Sequence, residues 1–538
     1  MPRRVVLALS LALSTGAAAQ QQVLGRISFP TSGPPEAQRV FVRGVLLLHS
    51  FEYDDAIAAF REAQRLSPGF AMAYWGEAMC YNQPLWRNED LERARAALAR
   101  VGPTPEARAA KAPTARERGY LDAVGRLFGA GDKVARDRAY VERLAALAEA
   151  YPEDDEAAVF HALAMLGTIP AGQRNPAVSL KAGAIASAIF KKNRQHPGAA
   201  HYMLHAYDDG EHNRLGLEAA RIYARIAPAS SHALHMPSHV FLPLGMWDEA
   251  AASDEASFAA SVAWVKRTGR PQSQTDFHPL AWLHYEYLQQ GRFSKAREAE
   301  DPLKHALAET SSAAQGHGSG HPHVESEIGR GYEPMSLRSE LASMRARYVI
   351  ESRDWSQLKG RVSFDNIDEL FALGLSSVAG ADMGRAGAAL DQLRQAAGAP
   401  GDPDLHEVAA IMVDELDGVL QFARGSRDAG LAALSRAAAA EARRPRPIAR
   451  PYPIKPAAEL YGEFLIVAGE PQQALRQFEA ALARTPRRAA SLLGLAAAAE
   501  AAGDRKKASA TAREFLAIWR QADPGRPEIR DMRRIAEQ

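Results

Sequence analysis

The chain has 538 residues, of which 47% are hydrophobic and 24% are charged, and this balance is typical of folded rather than disordered proteins. The 65 basic and 64 acidic residues leave a formal net charge of +1, so charge offers no electrostatic basis for a dedicated nucleic-acid binder. Cys80 is the single cysteine, which excludes an intramolecular disulfide framework, a paired-cysteine redox motif and a cysteine-rich zinc module.

The N-terminus has the pattern of a secretory signal. Arg3 and Arg4 precede a short apolar run at residues 5–13, and three alanines at residues 17–19 offer a cleavage site after Ala19. This run is shorter than the about 20 residues that a membrane span needs, and we find no other apolar stretch of that length. The sequence therefore predicts a periplasmic or secreted protein without a membrane span.

A recurring pattern of small and large apolar residues predicts an all-α fold. The first clear unit contains Gly44, Leu47, Ala56, Phe60, Ala63 and Pro68. The same order returns near the C-terminus as Tyr461, Gly462, Leu465, Ala474, Phe478, Ala481 and Pro486. Alternation typical of strands never continues for more than a few residues.

This register resembles the tetratricopeptide repeat (TPR), a helix pair of about 34 residues. The resemblance is strong over residues 40–100, 278–310 and 457–520, and weaker between them. It implies an α-solenoid, a right-handed superhelix of helix pairs, whose concave groove binds a protein or peptide. It implies no reaction, because function resides in sites and not in the scaffold.

Polar and proline-rich interruptions divide the predicted array. The predicted divisions are the signal peptide 1–19, an N-terminal and central array 20–310, a flexible Gly/His-rich loop 311–335, divergent helical repeats 336–442, a proline-rich connector 443–456 and a C-terminal repeat pair 457–538.

The central segment contains two histidine pairs in the repeat register. His201 and His205 are four residues apart, as are His235 and His239, and the two pairs are 34 residues apart. Residues four apart share a helix face, and neighbouring helices pack about 8 to 10 Å apart. We therefore expect the four imidazoles to converge on one point in the groove and to bind a transition metal, copper or zinc.

Other residues map near the same surface. The candidates for orienting the ligands or lining the groove are Asp208, His212, His232, His278 and Tyr285. Pro237 interrupts the second helix, and a helix that begins there would weaken the convergence. The loop histidines His317, His321 and His323 could supply a ligand, close over the groove, or belong to a polar insertion.

Three functional interpretations remain open. The first is an exported binding or scaffold protein with a histidine metal site in its groove. The second is a copper- or zinc-dependent enzyme on the same ligands, with Asp208, His278 or Tyr285 as candidates for acid–base or supporting roles. The third is a metal-free interaction scaffold. The sequence lacks HExxH, phosphate-loop and nucleophile-elbow motifs, so it assigns no catalytic residue, and it leaves the metal, substrate, partner and oligomeric state open.

Overall fold

The computed structural model describes residues 23–170, 173–316, 334–358, 364–399 and 402–538. The predicted signal peptide and the three loop histidines lie outside these residues. Within them, α-helices joined by short turns form nearly all the regular structure, and the two strands β1 (Asn82–Gln83) and β2 (Asn88–Glu89) form a small hairpin. The predicted all-α solenoid class is confirmed.

The helices follow one another along the chain with short connections. The first part contains α1 Pro35–His49, α2 Tyr53–Leu66, α3 Ala71–Cys80, α4 Leu91–Val101, α5 Pro105–Ala109, α6 Ala115–Leu127, α7 Lys133–Ala150, α8 Asp155–Gly167, α9 Pro176–Lys192, α10 Pro197–Ala206, α11 Asn213–Ile226, α12 Ser231–His235, α13 Ser238–Phe241 and α14 Trp247–Thr268. The second part contains α15 His278–Gln289, α16 Phe293–Glu298, α17 Asp301–Gly316, α18 Pro334–Ser352, α19 Ile367–Ala379, α20 Met383–Gly398, α21 Pro403–Ala423, α22 Arg427–Arg443, α23 Ala457–Val467, α24 Pro471–Arg484, α25 Ala489–Ala501, α26 Arg505–Ile518 and α27 Pro527–Ala536. Among the described helices, none combines the length and apolar character needed to cross a bilayer.

Successive helices pack as pairs around large aromatic residues that sit between glycines. A Cβ atom added to Gly44 or Gly76 would lie 2.7 or 2.2 Å from the ring of Phe60, so only glycine allows the three helices to approach this closely. Gly462 and Gly494 flank Phe478 in the same way, with 3.0 and 2.2 Å. Both sets have the same 16-residue spacing, which is the repeat register predicted from the sequence.

The C-terminal helices pack back onto the centre of the chain. The indole N–H of Trp519 donates to the carbonyl of Gln289 at the end of α15 (2.9 Å), and the Ala489 N–H donates to the Gln289 side chain (3.0 Å). One continuous apolar core includes residues from Leu24 to Ile535. The helices that surround the central histidines are therefore held from both ends of the chain.

Candidate metal centre

Six histidines in the central helices form two groups of three. The first triad is His201, His205 and His232; the second triad is His235, His239 and His278. Within each triad, one ring nitrogen per residue lies within 4.8 Å of the others. The triads are adjacent, with 6.4 Å between the ring centres of His205 and His239. The structure thus divides the four predicted ligands between two groups, and it adds a third histidine to each.

The same local arrangement builds both triads. His201 and His205 lie one turn apart on α10, and His232 follows in the first turn of α12. The Nε2 atom of His201 lies 3.1 Å from that of His205 and 3.0 Å from that of His232. The first triad therefore takes two histidines from one helix and one from the start of a later helix.

The second triad repeats this pattern across Pro237. His235 ends α12, His239 lies on α13, and His278 begins α15. The proline separates the two short helices, but its φ of −58° and ψ of −30° remain helical. His235 and His239 consequently stay one turn apart, with their Nε2 atoms 3.0 Å from each other. The proline does not separate the pair.

One buried aromatic ring supports each triad. Phe51 lies 4.3, 5.9 and 5.5 Å from the ring centres of the first triad, in the order of their numbers. Trp282 lies 5.1, 4.5 and 5.3 Å from those of the second triad. Phe51 has a left-handed backbone conformation with a φ of 58°, which is energetically costly for a residue other than glycine. These contacts restrict the orientation of the imidazoles.

A backbone carbonyl fixes the tautomer of His201 in the first triad. The Nδ1 atom of His201 lies 2.6 Å from the carbonyl oxygen of His49, and a carbonyl can only accept a hydrogen bond. We therefore assign the ring proton of His201 to Nδ1. Its Nε2 atom then carries a lone pair, which faces Nε2 of His205 and Nε2 of His232. Burial lowers the pKa of His201 to about 3, so the ring is neutral near pH 7.

Carboxyl groups favour the same tautomer for His235 and His239 of the second triad. Nδ1 of His239 lies 2.6 Å from Asp208 Oδ2, and Nδ1 of His235 lies 2.6 Å from Asp254 Oδ1. Ser238 donates its hydroxyl proton to the His235 carbonyl, so the contact between its Oγ and His235 Nδ1 (3.2 Å) also places the proton on the ring. When both rings are neutral, their Nε2 atoms present lone pairs to each other.

Two facing lone pairs at this distance repel unless a cation lies between them. Burial lowers the pKa of His235 well below its usual value, which argues against a bound proton near pH 7. Burial and the neighbouring Glu286 raise the pKa of Asp254 well above its usual range. A protonated carboxyl group does not fix the tautomer by itself, so the assignment for His235 also depends on the Ser238 contact. The arrangement suits a metal ion, and carboxylate–histidine–metal chains are common at such sites.

The open sides of the triads face one cavity of about 680 Å³. Five of the six histidines line it, while His201 is buried behind them. An ion held by three protein nitrogens would keep a free coordination position toward this space.

The remaining predicted residues occupy different places. Asp208 contacts a ligand directly, as described above. His212 pairs with Asp209 at 2.5 Å, outside both triads, and its side chain is about 30% exposed. Tyr285 is buried and accepts a hydrogen bond from Arg488 at 2.9 Å, so it belongs to the packing between α15 and the C-terminal helices.

A third group, His49, Glu156 and His196, is fully buried and differs chemically from the triads. His196 Nδ1 accepts the Ala199 N–H (3.2 Å), which leaves its proton on Nε2, 3.3 Å from Glu156. His49 Nε2 lies 2.7 Å from the same carboxylate, and its Nδ1 lies 2.9 Å from the hydroxyl of Tyr202. Burial raises the pKa of Glu156, but the two histidines outweigh it and lower the pKa to about 2.

In this third group a ring N–H of each histidine faces the carboxylate, although the contact between His196 Nε2 and Glu156 does not meet hydrogen-bond geometry. This third group holds the side chain of His49 in place. Because the backbone carbonyl of His49 orients His201, the group also supports the first triad. Sequence analysis missed this link, since a backbone carbonyl 152 residues away leaves no mark in a motif.

Comparisons with known proteins bear on the fold alone. No family model and no curated protein matches the chain. Among solved structures, yeast Tom70 is similar at 10% identity and a TM-score of 0.33, over 93% of this chain and 95% of Tom70. A human IFIT1 dimer with m7Gppp-AAAA is similar at 12% identity and a TM-score of 0.32, over 92% of this chain and 91% of IFIT1. The Cut9–Hcn1 assembly is similar at 12% identity and a TM-score of 0.29, over 95% of this chain and 78% of the matched chain. Likeness at this level carries no argument about function.

Proposed function

We propose that the protein binds two transition-metal ions, one in each histidine triad, on a helical-repeat scaffold. The observation that carries the proposal is the close approach of the Nε2 atoms of His235 and His239, 3.0 Å apart, while the Nδ1 atom of each ring contacts a carboxyl group. Metal–nitrogen bonds of about 2.0–2.1 Å hold neighbouring ligand nitrogens roughly 3 to 3.5 Å apart, so the separations suit a shared ion. Imidazole ligands without thiolates favour copper or zinc.

Elemental analysis of the mature protein, purified without a histidine tag or chelator, tests this proposal. We expect two equivalents of metal in the wild type. His205→Ala should remove one equivalent, His239→Ala should remove the other, and the double variant should hold none. His212→Ala is the matched control and should retain both, and circular dichroism should report unchanged helicity in all variants.

The stoichiometry separates the competing interpretations. One equivalent in the wild type, lost in either single variant, would support a single four-histidine site in place of two triads. No metal after purification and none on titration would overturn the proposal and leave a metal-free interaction scaffold.

A metal-dependent enzyme is the second candidate function. The observation that favours it is the cavity of about 680 Å³ at the open side of both triads, because catalytic metals keep a position for substrate. An activity that depends on the added metal and disappears in the His205→Ala/His239→Ala variant would support an enzyme. Metal binding without turnover would support a binding protein whose groove accepts a protein or peptide.

The signal-like residues at 1–19 support a location outside the cytoplasm, and we propose a periplasmic or secreted protein. N-terminal sequencing of the protein recovered from the exported fraction should begin at Gln20. Recovery of the uncleaved chain from the cytoplasm would contradict this location.

A further inference from the structure

The cavity beside the triads has an apolar, partly aromatic wall. Its volume of about 680 Å³ lies within the roughly 300–1,000 Å³ of small-molecule sites. Leu85, Trp86, Trp264 and Ile448 contribute apolar side chains from different parts of the chain. Trp86 is 52% exposed and Ile448 is 36% exposed, which is unusual for large apolar residues and places uncovered apolar surface at the cavity.

Trp86 is held rigidly next to the first triad. It lies in the turn between β1 and β2, and the adjacent Arg87 donates hydrogen bonds to the carbonyls of Gly167 (3.1 Å) and Ile169 (2.6 Å). Its ring meets Phe51 and His232 edge-on, with centres 5.3 and 5.5 Å away. An anchored indole with an exposed surface is a suitable stacking partner for a planar ring.

The proposed metal ions dominate the charge at the cavity. Among the described residues that line it, Glu52, Asp55 and Asp276 are acidic, whereas Arg267 is the single basic residue and lies 3.9 Å from Asp55. Two divalent ions in the triads would outweigh the excess negative charge of these side chains, so the filled site suits a ligand that binds through an oxygen anion. The hydroxyl group of a phenol or catechol becomes such an oxygen when it loses its proton to solvent on binding.

We infer that the cavity binds a small aromatic molecule that carries hydroxyl groups, a phenol or catechol, which releases a hydroxyl proton to solvent as its oxygen binds the ions. Its oxygen atoms occupy the free positions on the metal ions, and its ring stacks on Trp86. This inference rests on the proposed function, because the oxygen needs the ions in the triads.

Binding of 4-nitrocatechol to the zinc-loaded protein tests the ligand class. Zinc has no redox chemistry, so the experiment reports binding alone. We expect a shift of the nitrocatechol absorption band, which requires coordination of its oxygens, and this shift should be absent in the His205→Ala/His239→Ala variant. Catechol should displace the probe, whereas cyclohexane-1,2-diol should compete at least about tenfold more weakly, because it lacks the ring and its hydroxyl groups lose their protons less readily.

A single substitution separates stacking from coordination. Trp86→Ala should weaken nitrocatechol binding by about tenfold while the zinc content stays at two equivalents, as expected for the loss of one stacking partner. Leu215→Ala changes a similarly exposed apolar residue outside the cavity and should leave binding unchanged.

Failure of the inference is distinguishable from failure of the metal proposal. A protein that holds no zinc overturns both. A zinc-loaded protein that gives no band shift, that binds cyclohexane-1,2-diol as tightly as catechol, or whose nitrocatechol affinity is unchanged by Trp86→Ala overturns the ligand inference and leaves the metal sites in place.

Discussion

Asp208 determines which nitrogen of His239 carries the ring proton. The carboxylate accepts from Nδ1 at 2.6 Å, and only this tautomer leaves Nε2 available to a metal. Aspartate is better suited to the task than a neutral group, because its charge also strengthens the imidazole as a ligand. The aspartate follows α10 directly, and thus the helix that supplies two ligands of the first triad also orients one ligand of the second.

Replacement of this carboxylate should weaken the second triad selectively. We expect Asp208→Asn to lower the metal affinity of that triad by about 10- to 100-fold, since an amide can also present an N–H to the ring and favours no single tautomer. Competition titration with a chromophoric chelator measures the affinity of each equivalent.

Asp209→Asn is the neighbouring control. Asp209 pairs with His212, which is not a triad member, so both equivalents should keep their affinity. Equal weakening in the two variants would show that the effect is one of general charge and not of the tautomer.

At the scale of helices, packing depends on pairs of glycines around one aromatic ring. Gly76 lies on α3, and a Cβ atom there would approach Phe60 to 2.2 Å. Because Phe60 is fully buried, its ring has no free space into which to move. Contacts of this kind set the distance between successive helices of the array.

Adding one methyl group at this position should therefore destabilise the repeat. We expect Gly76→Ala to lower the free energy of unfolding by about 1–3 kcal/mol, the usual cost of overpacking. Urea denaturation followed by circular dichroism measures the change. Gly69→Ala is the control, because a Cβ at Gly69 meets nothing within 4 Å. A Gly76→Ala variant as stable as Gly69→Ala would contradict this account of the packing.

The sequence was sufficient to predict the helices and the two histidine pairs because both depend on short, regular spacings. His201 and His205 share a helix face by the period of the helix, and the return at His235 and His239 follows the period of the repeat. The aromatic and glycine positions around Phe60 follow the same rule.

Completion of the triads was harder to predict. His232 lies in the first turn of α12, and His278 is the first residue of α15. However, His232 comes 27 residues after His205, whereas His278 comes 39 residues after His239. The difference arises because α14 has 22 residues where α11 has 14, and a 3-10 turn follows it. The shared position of the two histidines within the repeat was sufficient to place both near the groove, but it did not show that they complete two separate triads.

At the scale of the molecule, buried ion pairs tie the C-terminal helices to the centre. Arg488 is fully buried and contacts Glu459 at 2.8 Å, Glu351 at 2.7 Å and the hydroxyl of Tyr285 at 2.9 Å. Its partners lie on α23, α18 and α15, so one guanidinium connects three separate parts of the array. Burial lowers the pKa of Arg488, but the carboxylates outweigh this effect and raise it well above its usual value.

Removal of this cation should destabilise the junction strongly. We expect Arg488→Met to cost about 3–5 kcal/mol, because it leaves the buried carboxylate of Glu351 without its cation and Glu459 with Lys455 as its remaining cation. Arg534→Met removes an exposed pair with Glu500 and should change the stability far less, because solvent screens such pairs. Thermal unfolding monitored by circular dichroism compares the two, and similar losses of stability would contradict a special role for the buried pair.

The short unit formed by α12 and α13 belongs to both triads, since it supplies His232 to one and His235 and His239 to the other. An ion in either triad would immobilise this unit and thereby arrange ligands of the other triad in advance. The second ion would then meet a site that has already lost much of its conformational freedom, and it would bind more tightly than the first. A repeat shared between neighbouring sites would thus make occupancy of the wild type cooperative, and a single-site variant would hold its one remaining ion more weakly than the wild type holds the same ion.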